Sequence, residues 1–299
     1  SHIDDFLQAE RAALSADVAL VCDTDLWASG VPAITTRLRG CMAEEVVITG
    51  PRMDLHSGAY GGSAANPIHV LGRIMGDLRD RDGRITIPGF YDGVDPVPEA
   101  TRRQWQSLGF DEKSYLGAIG LSEPVGEVGY SALERIWARP TAEVNGILGG
   151  YTGPGGKTII PSEAMAKFTF RLVGRQDPAK IRPAFRKFVE DRLPAGCKVR
   201  FDGGGGESAG VTVAEDNPVL AQAAQALAEE WGRAPALIGA GGSIPIVEAF
   251  QRLYAMPSLL IGFAQDQDSV HSPNESYAVS SYHKGQRSWA RIIAALAAA

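Results

Sequence analysis

Three polar groups that could bind a metal ion or an anion stand directly after short apolar runs. They are Asp23 after residues 17–22, Gly242 and Ser243 after 235–239, and His271 after 257–263. Short continuous apolar runs favour buried parallel strands, and open α/β sheets bind ligands beyond the carboxyl ends of their strands. A carboxylate and an imidazole at neighbouring strand ends suit Zn²⁺ or Mn²⁺.

Each of these residues also has an ordinary structural explanation. An Asp after a strand is more often part of a turn or a helix cap, and a His on a loop is usually solvated. The GAGGSIP loop can hold an anion on the N–H groups of a helix N-terminus, or it can be a tight turn in which Ser243 caps the helix. Spacing alone leaves these interpretations open.

The middle of the chain offers a second group of candidates. His56 lies among small residues in DLHSGAYGG, where the backbone can approach a ligand or another subunit, although a polar turn is the simpler interpretation. Thr158 lies on a Gly/Pro-rich loop, and Arg171 lies on the polar face of a predicted strand. Arginine suits bidentate recognition of a carboxylate, but a plain solvent-exposed Arg171 explains the same pattern.

The elements around these candidates change character along the chain. At the two ends, strands alternate with helices predicted over 217–232, 245–254 and about 278–298, which favours an open, mostly parallel α/β sheet. In the middle, strands with alternating hydropathy and amphipathic helices indicate an α+β unit. These strands are predicted over 164–173 and 197–202, and the helices over 67–80 and 178–193.

We therefore predict two domains. Residues 1–35 and 214–299 form an α/β domain, and residues 36–213 form an α+β domain inserted into it. The segment 83–135 is predicted as a long excursion with short helices that belongs to the inserted domain.

Composition excludes several classes of function. The chain of 299 residues has a net charge of −6 without a basic stripe, which argues against nucleic-acid binding. No apolar run approaches the roughly 18 residues of a membrane span. The three cysteines have no CxxC spacing, which is typical of reduced thiols and predicts a cytoplasmic protein.

Six segments together resemble the M20 metallopeptidase family, in particular its dipeptidase branch. They are CDT at 22–24, DLHSGAYGG at 54–62, PTAEVNGILGGYTGPGGKTIIP at 140–161, FRLV at 170–173, GGSIP at 241–245 and HSPNE at 271–275. They occur in the family's order and cover nearly the whole chain. The resemblance implies an α/β catalytic domain, incomplete here, and an inserted lid domain that forms a homodimer.

The resemblance also implies roles for individual residues. Asp23 and His271 would each bind one of two divalent ions, zinc or manganese, and His56 would help to stabilise the oxyanion in the partner subunit's site. The free C-terminal carboxylate of a small peptide substrate would be held by four residues, with a fifth as a further substrate contact. The four are Thr158, Arg171, Gly242 and Ser243, and the fifth is Asn145.

The sequence departs from the family pattern at its start. The family's His-x-Asp motif, bridging Asp and Glu-Glu pair lie upstream of the strand that ends at Asp23, and none of them occurs in this chain. We therefore expect an N-terminally truncated dipeptidase that is inactive and binds metal weakly or not at all. Two alternatives stay open: an N-acyl amino acid amidohydrolase of the same superfamily, and a non-catalytic fragment that dimerises and binds carboxylates.

Overall fold

The buried hydrophobic side chains form two separate cores in a computed structural model that describes residues 2–298. The chain divides accordingly into two units. The first unit runs to Leu38 and includes Val97–Phe110 and the chain from Val211 onward, and the second comprises Arg39–Pro96 and Asp111–Gly210. The division at Leu38 and Val211 lies within a few residues of the predicted boundaries.

The described residues contain eleven strands. They are β1 (Ala19–Val21), β2 (Ala33–Leu38), β3 (Gly40–Thr49), β4 (Leu55–His56), β5 (Thr141–Gly149), β6 (Ile159–Ile160), β7 (Glu163–Leu172), β8 (Lys198–Asp202), β9 (Val211–Thr212), β10 (Ala236–Ala240) and β11 (Ser258–Leu260).

Ten α-helices and one 3₁₀ helix, Asp266–Asp268, lie within the same residues. The α-helices are α1 (Ile3–Ala9), α2 (Ser57–Tyr60), α3 (Pro67–Gly76), α4 (Glu99–Gln106), α5 (Glu112–Ala118), α6 (Ala132–Trp137), α7 (Pro178–Glu190), α8 (Pro218–Trp231), α9 (Pro245–Tyr254) and α10 (Val279–Ala297). Within residues 2–298, no helix combines the length and the hydropathy that a membrane crossing requires.

The sheet of the first unit has the order β1-β11-β2-β10, and β9 also pairs with β2. β1 pairs with β11 and β10 with β2 in parallel, whereas the β11–β2 and β2–β9 pairs are antiparallel. The α/β class is thus confirmed, with a sheet more mixed than the mostly parallel one predicted. The antiparallel β2–β9 pair follows from the path of the chain. The chain leaves this unit at Leu38 and returns at Val211, and these two residues are paired in the antiparallel register.

Helix α8 shows how local sequence sets the elements of this unit. The Asn217 side chain accepts a hydrogen bond from the N–H of Val219 at 2.9 Å, and Pro218 occupies the first turn. Gly232, in the left-handed conformation with φ 70°, ends the helix. The buried Leu227 on its inner face contributes about 2 kcal/mol through removal from water.

The segment Val97–Phe110 corrects one prediction. The sequence pattern predicts that it belongs, with the rest of residues 83–135, to the inserted domain, but the structure places it in the first unit. Trp105 is 2% exposed, and its indole N–H donates to the carbonyl of Leu237 on β10 at 3.2 Å. The hydroxyl of Thr101 donates to Glu215 at 2.8 Å. These contacts join residues more than a hundred positions apart, so the local pattern could not show them.

The second unit is built on an antiparallel sheet with the order β5-β7-β3-β8. β3 and β7 pair over ten residues, and β7 buries every second side chain, as its alternating sequence predicted. Phe185 of α7 packs on this face, with its ring 5.1 Å from that of Phe168 and 4.9 Å from that of Phe170.

A buried ionic cluster fastens α7 to β3. The side chain of Glu44 is fully buried and accepts hydrogen bonds from Arg182 and from Arg186, the latter at 2.7 Å. A buried carboxylate requires such partners, because an unpaired charge in the interior costs several kcal/mol. The cluster therefore fixes one packing of the helix on the sheet.

Candidate active site

Asp23 lies where β1 ends, beside the end of the parallel strand β11. Beyond the strands the backbones stay in contact, since the N–H of Leu26 donates to the carbonyl of Ala264 at 2.9 Å. A Cβ atom at Gly262 would lie only 1.6 Å from the carbonyl oxygen of Thr24, so only glycine fits there. The backbone itself thus holds the exposed Asp23 segment against the end of β11.

His271 lies on the loop that follows β11 and the 3₁₀ helix. Its side chain is exposed and its backbone is left-handed, with φ 61°. This conformation costs a residue with a Cβ roughly 1–2 kcal/mol, and such strain clusters at functional sites. Asp268, only 2% exposed, shapes the loop by accepting a hydrogen bond from the N–H of Gln265 at 2.9 Å.

The donor set for a metal ion is incomplete in the described residues. No group of three or more His, Cys, Asp or Glu side chains between residues 2 and 298 is arranged to hold a metal. Asp23 and His271 offer one carboxylate and one imidazole, whereas a catalytic zinc site uses about three protein ligands. These two residues therefore do not make a metal site by themselves.

Tyr277 and Cys22 are neighbours of these candidates that the sequence did not single out as functional. Burial raises the pKa of Tyr277, and the nearby Asp268 and Cys22 raise it further. Burial also raises the pKa of the Cys22 thiol, so Cys22 lacks the thiolate character of a catalytic nucleophile. Tyr277 is thus close enough to Asp268 and Cys22 to be influenced by their charges. Its position in HSPNESY, just after the predicted His271 motif, was the available signal.

Gly242 and Ser243 lie between β10 and α9, as the sequence predicted. Helix α9 begins at Pro245 with Ile244 as its N-cap residue, and no side chain caps it. The interpretation of Ser243 as the helix cap is therefore wrong, because the helix starts at Pro245 and its N-cap position is Ile244, one residue after Ser243. First-turn N–H groups without a capping side chain are suited to receive an anion.

In the second unit, the structure joins two of the predicted residues. His56 and Thr158 lie at the ends of β4 and β6, and His56 Nε2 is 3.3 Å from the hydroxyl of Thr158. His56 Nδ1 accepts a hydrogen bond from the N–H of Gly58 at 3.0 Å. Because Nδ1 accepts, the proton of the neutral imidazole lies on Nε2. Nε2 is therefore the donor that His56 can offer, on an exposed side chain.

The small residues after His56 are explained by this arrangement. A Cβ atom at position 58 would lie 2.9 Å from Cε1 of His56, and one at position 61 would lie 2.4 Å from the carbonyl oxygen of Ser57. Gly58 and Gly61 thus allow the one-turn helix that His56 caps. A turn role and a functional role coexist at His56, since the first uses Nδ1 and the second would use Nε2.

Arg171 lies on the polar face of β7, between Cys41 of β3 and Thr141 of β5. A second arginine, Arg39, is close enough to influence it electrostatically. Burial, followed by the repulsion of Arg171, lowers the pKa of Arg39 to about 10, despite the attraction of Glu143 and Tyr115. With a pKa of about 10, Arg39 still carries its charge at neutral pH, so this strand end favours anions.

Asn145 occupies the β-bulge of strand β5. Its neighbours Val144 and Gly146 pair with Phe168 and Lys167, so Asn145 is the extra residue. Bulges of this kind are frequent next to active sites because they redirect one side chain. However, Asn145 lies three to four positions along β7 from Arg171, which is roughly 10 Å or more. The structure therefore does not bring these two candidates together.

Comparison with known proteins identifies the class. Residues 37–197, more than half of the chain, match the peptidase dimerisation domain of the M20 type. The chain belongs to the M20 peptidase family.

Within that family, the similar proteins include dipeptidases, which confirms the predicted branch. The chain is 30% identical over 284 residues to the Cys-Gly metallodipeptidase DUG1 of Candida albicans, covering 93% of this chain and 58% of that protein. It is 28% identical over 282 residues to the human Beta-Ala-His dipeptidase, covering 93% of this chain and 55% of that protein.

A solved structure agrees with these relatives. The dipeptidase Dug1p from Saccharomyces cerevisiae matches with a TM-score of 0.82 and 26% identity, over 99% of this chain and 63% of that one. The chain thus spans less than two thirds of the length of the relatives that it matches.

Proposed function

We propose that this chain is part of a metal-dependent dipeptidase that hydrolyses dipeptides or short peptides with a free C-terminal carboxylate. The observation that carries the proposal is the His56–Thr158 pair, which presents a neutral imidazole N–H and a hydroxyl on one exposed ribbon. Two relatives, one named as a metallodipeptidase and one as a dipeptidase, are similar over nearly the whole of this chain and support this chemistry.

Positive and N–H donor groups would select the substrate carboxylate. Arg171 provides a guanidinium fork, which binds carboxylates in a bidentate manner, and Thr158 adds a hydroxyl. Gly242 and Ser243, ahead of the uncapped α9, would contribute N–H groups. Asn145 is proposed as a weaker substrate contact, because its bulge lies three to four positions along β7 from Arg171.

His56 would act on the carbonyl that is attacked. When water adds to a peptide carbonyl, negative charge develops on its oxygen, and a positioned donor stabilises that charge. The Nε2–H of His56 is such a donor, since its orientation is fixed by the hydrogen bond that Nδ1 accepts from Gly58. No proton needs to leave His56 in this role.

A homodimer through the second unit is part of the proposal. Strand β5 is an edge of its sheet, and an unpaired edge is a template for strand pairing with another chain. Ile147 and Leu148 on this strand are 61% and 60% exposed, and Ile68 of the adjacent α3 is 39% exposed. In such a dimer, His56 would serve the site of the partner subunit.

The metal ions of the parent enzyme need more ligands than this chain supplies. Asp23 and His271 are proposed as one ligand for each of two divalent ions, which would activate the attacking water when bound. The remaining ligands and the general base are proposed to lie in polypeptide that the relatives have and this chain does not match. The 299-residue chain alone is accordingly expected to be inactive.

The test compares this chain with the product of the complete reading frame that encodes it. Both are incubated with Cys-Gly and β-Ala-His in the presence of Zn²⁺ or Mn²⁺, with N-acetyl amino acids in parallel. We expect metal-dependent dipeptide hydrolysis by the complete product only. Turnover by the 299-residue chain would contradict its inactivity, and turnover of N-acetyl amino acids alone would replace the dipeptidase with an amidohydrolase.

A further inference from the structure

The His56–Thr158 pair stands on a very short ribbon. Strands β4 and β6 pair at only two register positions, Leu55 with Ile160 and His56 with Ile159. A ladder of this size is marginally stable by itself, because few hydrogen bonds offset the entropy lost when two chain segments are ordered. The 3.3 Å spacing between His56 Nε2 and the Thr158 hydroxyl therefore depends on the contacts that hold the ribbon at its two ends.

Backbone contacts lie at both ends of this ribbon. At the end next to His56, the N–H of Ser57 donates to the carbonyl of Thr158 at 2.8 Å. At the other end, the N–H of Gly50 donates to the carbonyl of Ser162 at 2.9 Å, directly beyond the paired strands β3 and β7. The Gly50–Ser162 contact thus joins the large sheet of the second unit to the connection that leads into the ribbon.

The two chain segments between the large sheet and the ribbon differ in length. Residues 51–54 lie between Gly50 and Leu55 on one side, whereas Pro161 alone lies between Ile160 and Ser162 on the other. Regular pairing cannot continue through such a mismatch, because two paired strands advance residue by residue. Another contact is therefore needed to hold the ribbon in place against the large sheet.

Asp54 supplies this contact. Its Oδ1 atom accepts a hydrogen bond from the N–H of Ser162 at 2.8 Å and a second one from the hydroxyl of Ser162 at 3.0 Å. Hydrogen bonds to a carboxylate are roughly twice as strong as those between neutral groups. Since Asp54 directly precedes Leu55, and Ser162 lies two residues after Ile160, the contact ties the two strands of the ribbon to each other.

We propose that Asp54 is a positioning residue for the peptidase reaction. By holding Ser162, it keeps Thr158 against His56 and keeps the Nε2–H donor of His56 in a fixed place. Asp54 touches no substrate in this role. The inference rests on the proposed function for its catalytic meaning, but control of the His56–Thr158 contact by Asp54 can be measured without any peptidase activity.

The first test measures this contact in the 299-residue chain by NMR. A nuclear Overhauser effect between the His56 ring protons and the Thr158 methyl group reports that the two side chains are close. We expect the signal in the unaltered chain and its loss in Asp54→Ala, which removes both hydrogen bonds to Ser162. Asp54→Asn should retain the signal, because its amide oxygen can still accept them. Persistence of the signal in Asp54→Ala would overturn the proposal.

Asp80 provides the matched control. It is another exposed aspartate of the second unit, and its Oδ1 atom also accepts two hydrogen bonds, from the N–H groups of Asp82 at 3.0 Å and Arg84 at 2.9 Å. Asp80→Ala therefore removes a comparable loop contact away from the ribbon and should leave the His56–Thr158 signal unchanged. Loss of the signal in Asp80→Ala as well would mean that general loosening of the unit, and not Asp54, controls the contact, which would also overturn the proposal.

The second test measures kcat for Cys-Gly in the complete gene product. Asp54→Ala should lower kcat about tenfold through misplacement of His56, and Asp54→Asn should recover most of the loss. In a His56→Ala background, Asp54→Ala should cause no further fall in kcat, because the donor that it positions is already gone. A merely structural role would lower kcat by the same factor in both backgrounds, and that result would overturn the proposal.

Ser162→Ala keeps the test decisive if Asp54→Ala does not fold. This variant removes the hydroxyl donor and retains the N–H, so it should weaken the Overhauser signal and lower kcat about two- to threefold. No change in either quantity would count against the proposal. If the complete gene product hydrolyses no dipeptide, the proposed function fails, and the Overhauser signal alone then decides whether Asp54 positions His56.

Discussion

The two units position their candidate residues by different physical means. In the first unit, Asp23 and His271 stand on exposed segments beyond strand ends, held by backbone contacts and by a loop with strained φ angles. In the second unit, His56 is oriented by a hydrogen bond to Nδ1, on a scaffold whose helix α7 is fixed by the buried Glu44.

Under the proposed roles, Asp23 and His271 would take their final geometry from a bound ligand, whereas His56 is oriented before any ligand binds. A carboxylate and an imidazole that bind a metal gain their final geometry from the ion, so exposed loops serve them well. A hydrogen-bond donor for an oxyanion must be oriented before the reaction, because its benefit comes from preorganisation. The second unit therefore has the firmer scaffold.

The largest expected effect concerns that scaffold. Glu44→Ala leaves the cations of Arg182 and Arg186 without their buried partner and should destabilise the second unit by about 3 kcal/mol. Urea unfolding, with hydrogen exchange to assign the loss to β3 and α7, measures it. The adjacent Glu45→Ala is the matched control, since its ion pair with Lys167 is partly exposed at 3.4 Å and contributes less than about 1 kcal/mol. If both variants lost the same free energy of unfolding, the buried Glu44 cluster would not be what makes the scaffold of the second unit firm.

The next effect concerns catalysis. His56→Ala in the complete gene product should lower kcat for Cys-Gly about 100-fold or more, as removal of an oxyanion donor does. His69→Ala, at another exposed histidine of the same unit, should leave kcat unchanged. A fall in kcat without a comparable rise in KM would indicate loss of transition-state stabilisation, whereas a change in KM alone would assign His56 to binding.

The smallest effect concerns the strained loop. His271→Gly removes the strain of the left-handed backbone, but glycine also makes the unfolded chain more flexible. The net result should be a rise of about 1 kcal/mol in the free energy of unfolding. The same change at His283, inside helix α10, should lower it by about 1 kcal/mol. Destabilisation by His271→Gly would show that the imidazole makes contacts that outweigh the strain.

The fold could be predicted where local periodicity and burial agree. The alternation of residues 164–173 appears as β7, and the start signals at Asn217 and Pro245 appear as the first turns of α8 and α9. The segment around Trp105 could not be predicted, because its place depends on a carbonyl group far away in the sequence. A single tryptophan on a short helix gives no indication of which core it joins.

The candidate site was predictable in part for a similar reason. The residue types at strand ends and in DLHSGAYGG are visible in the sequence, but the pairing of His56 with Thr158 depends on a two-residue ribbon between distant segments. Arg39 was missed, because its importance comes from burial beside Arg171 rather than from a motif. Roles inferred for Asp23, His271 and the carboxylate pocket remain predictions.

The antiparallel pairing of Leu38 with Val211 has a consequence for dissecting the molecule. Two strands that meet in this way could be joined by a short hairpin turn, which would delete everything between Leu38 and Val211. That deletion would also remove Val97–Phe110. It would thus remove Trp105, whose indole N–H donates a hydrogen bond to the carbonyl of Leu237. A minimal version of the first unit must therefore retain α4. The second unit consists of two chain segments, Arg39–Pro96 and Asp111–Gly210, and cannot be removed as one continuous segment.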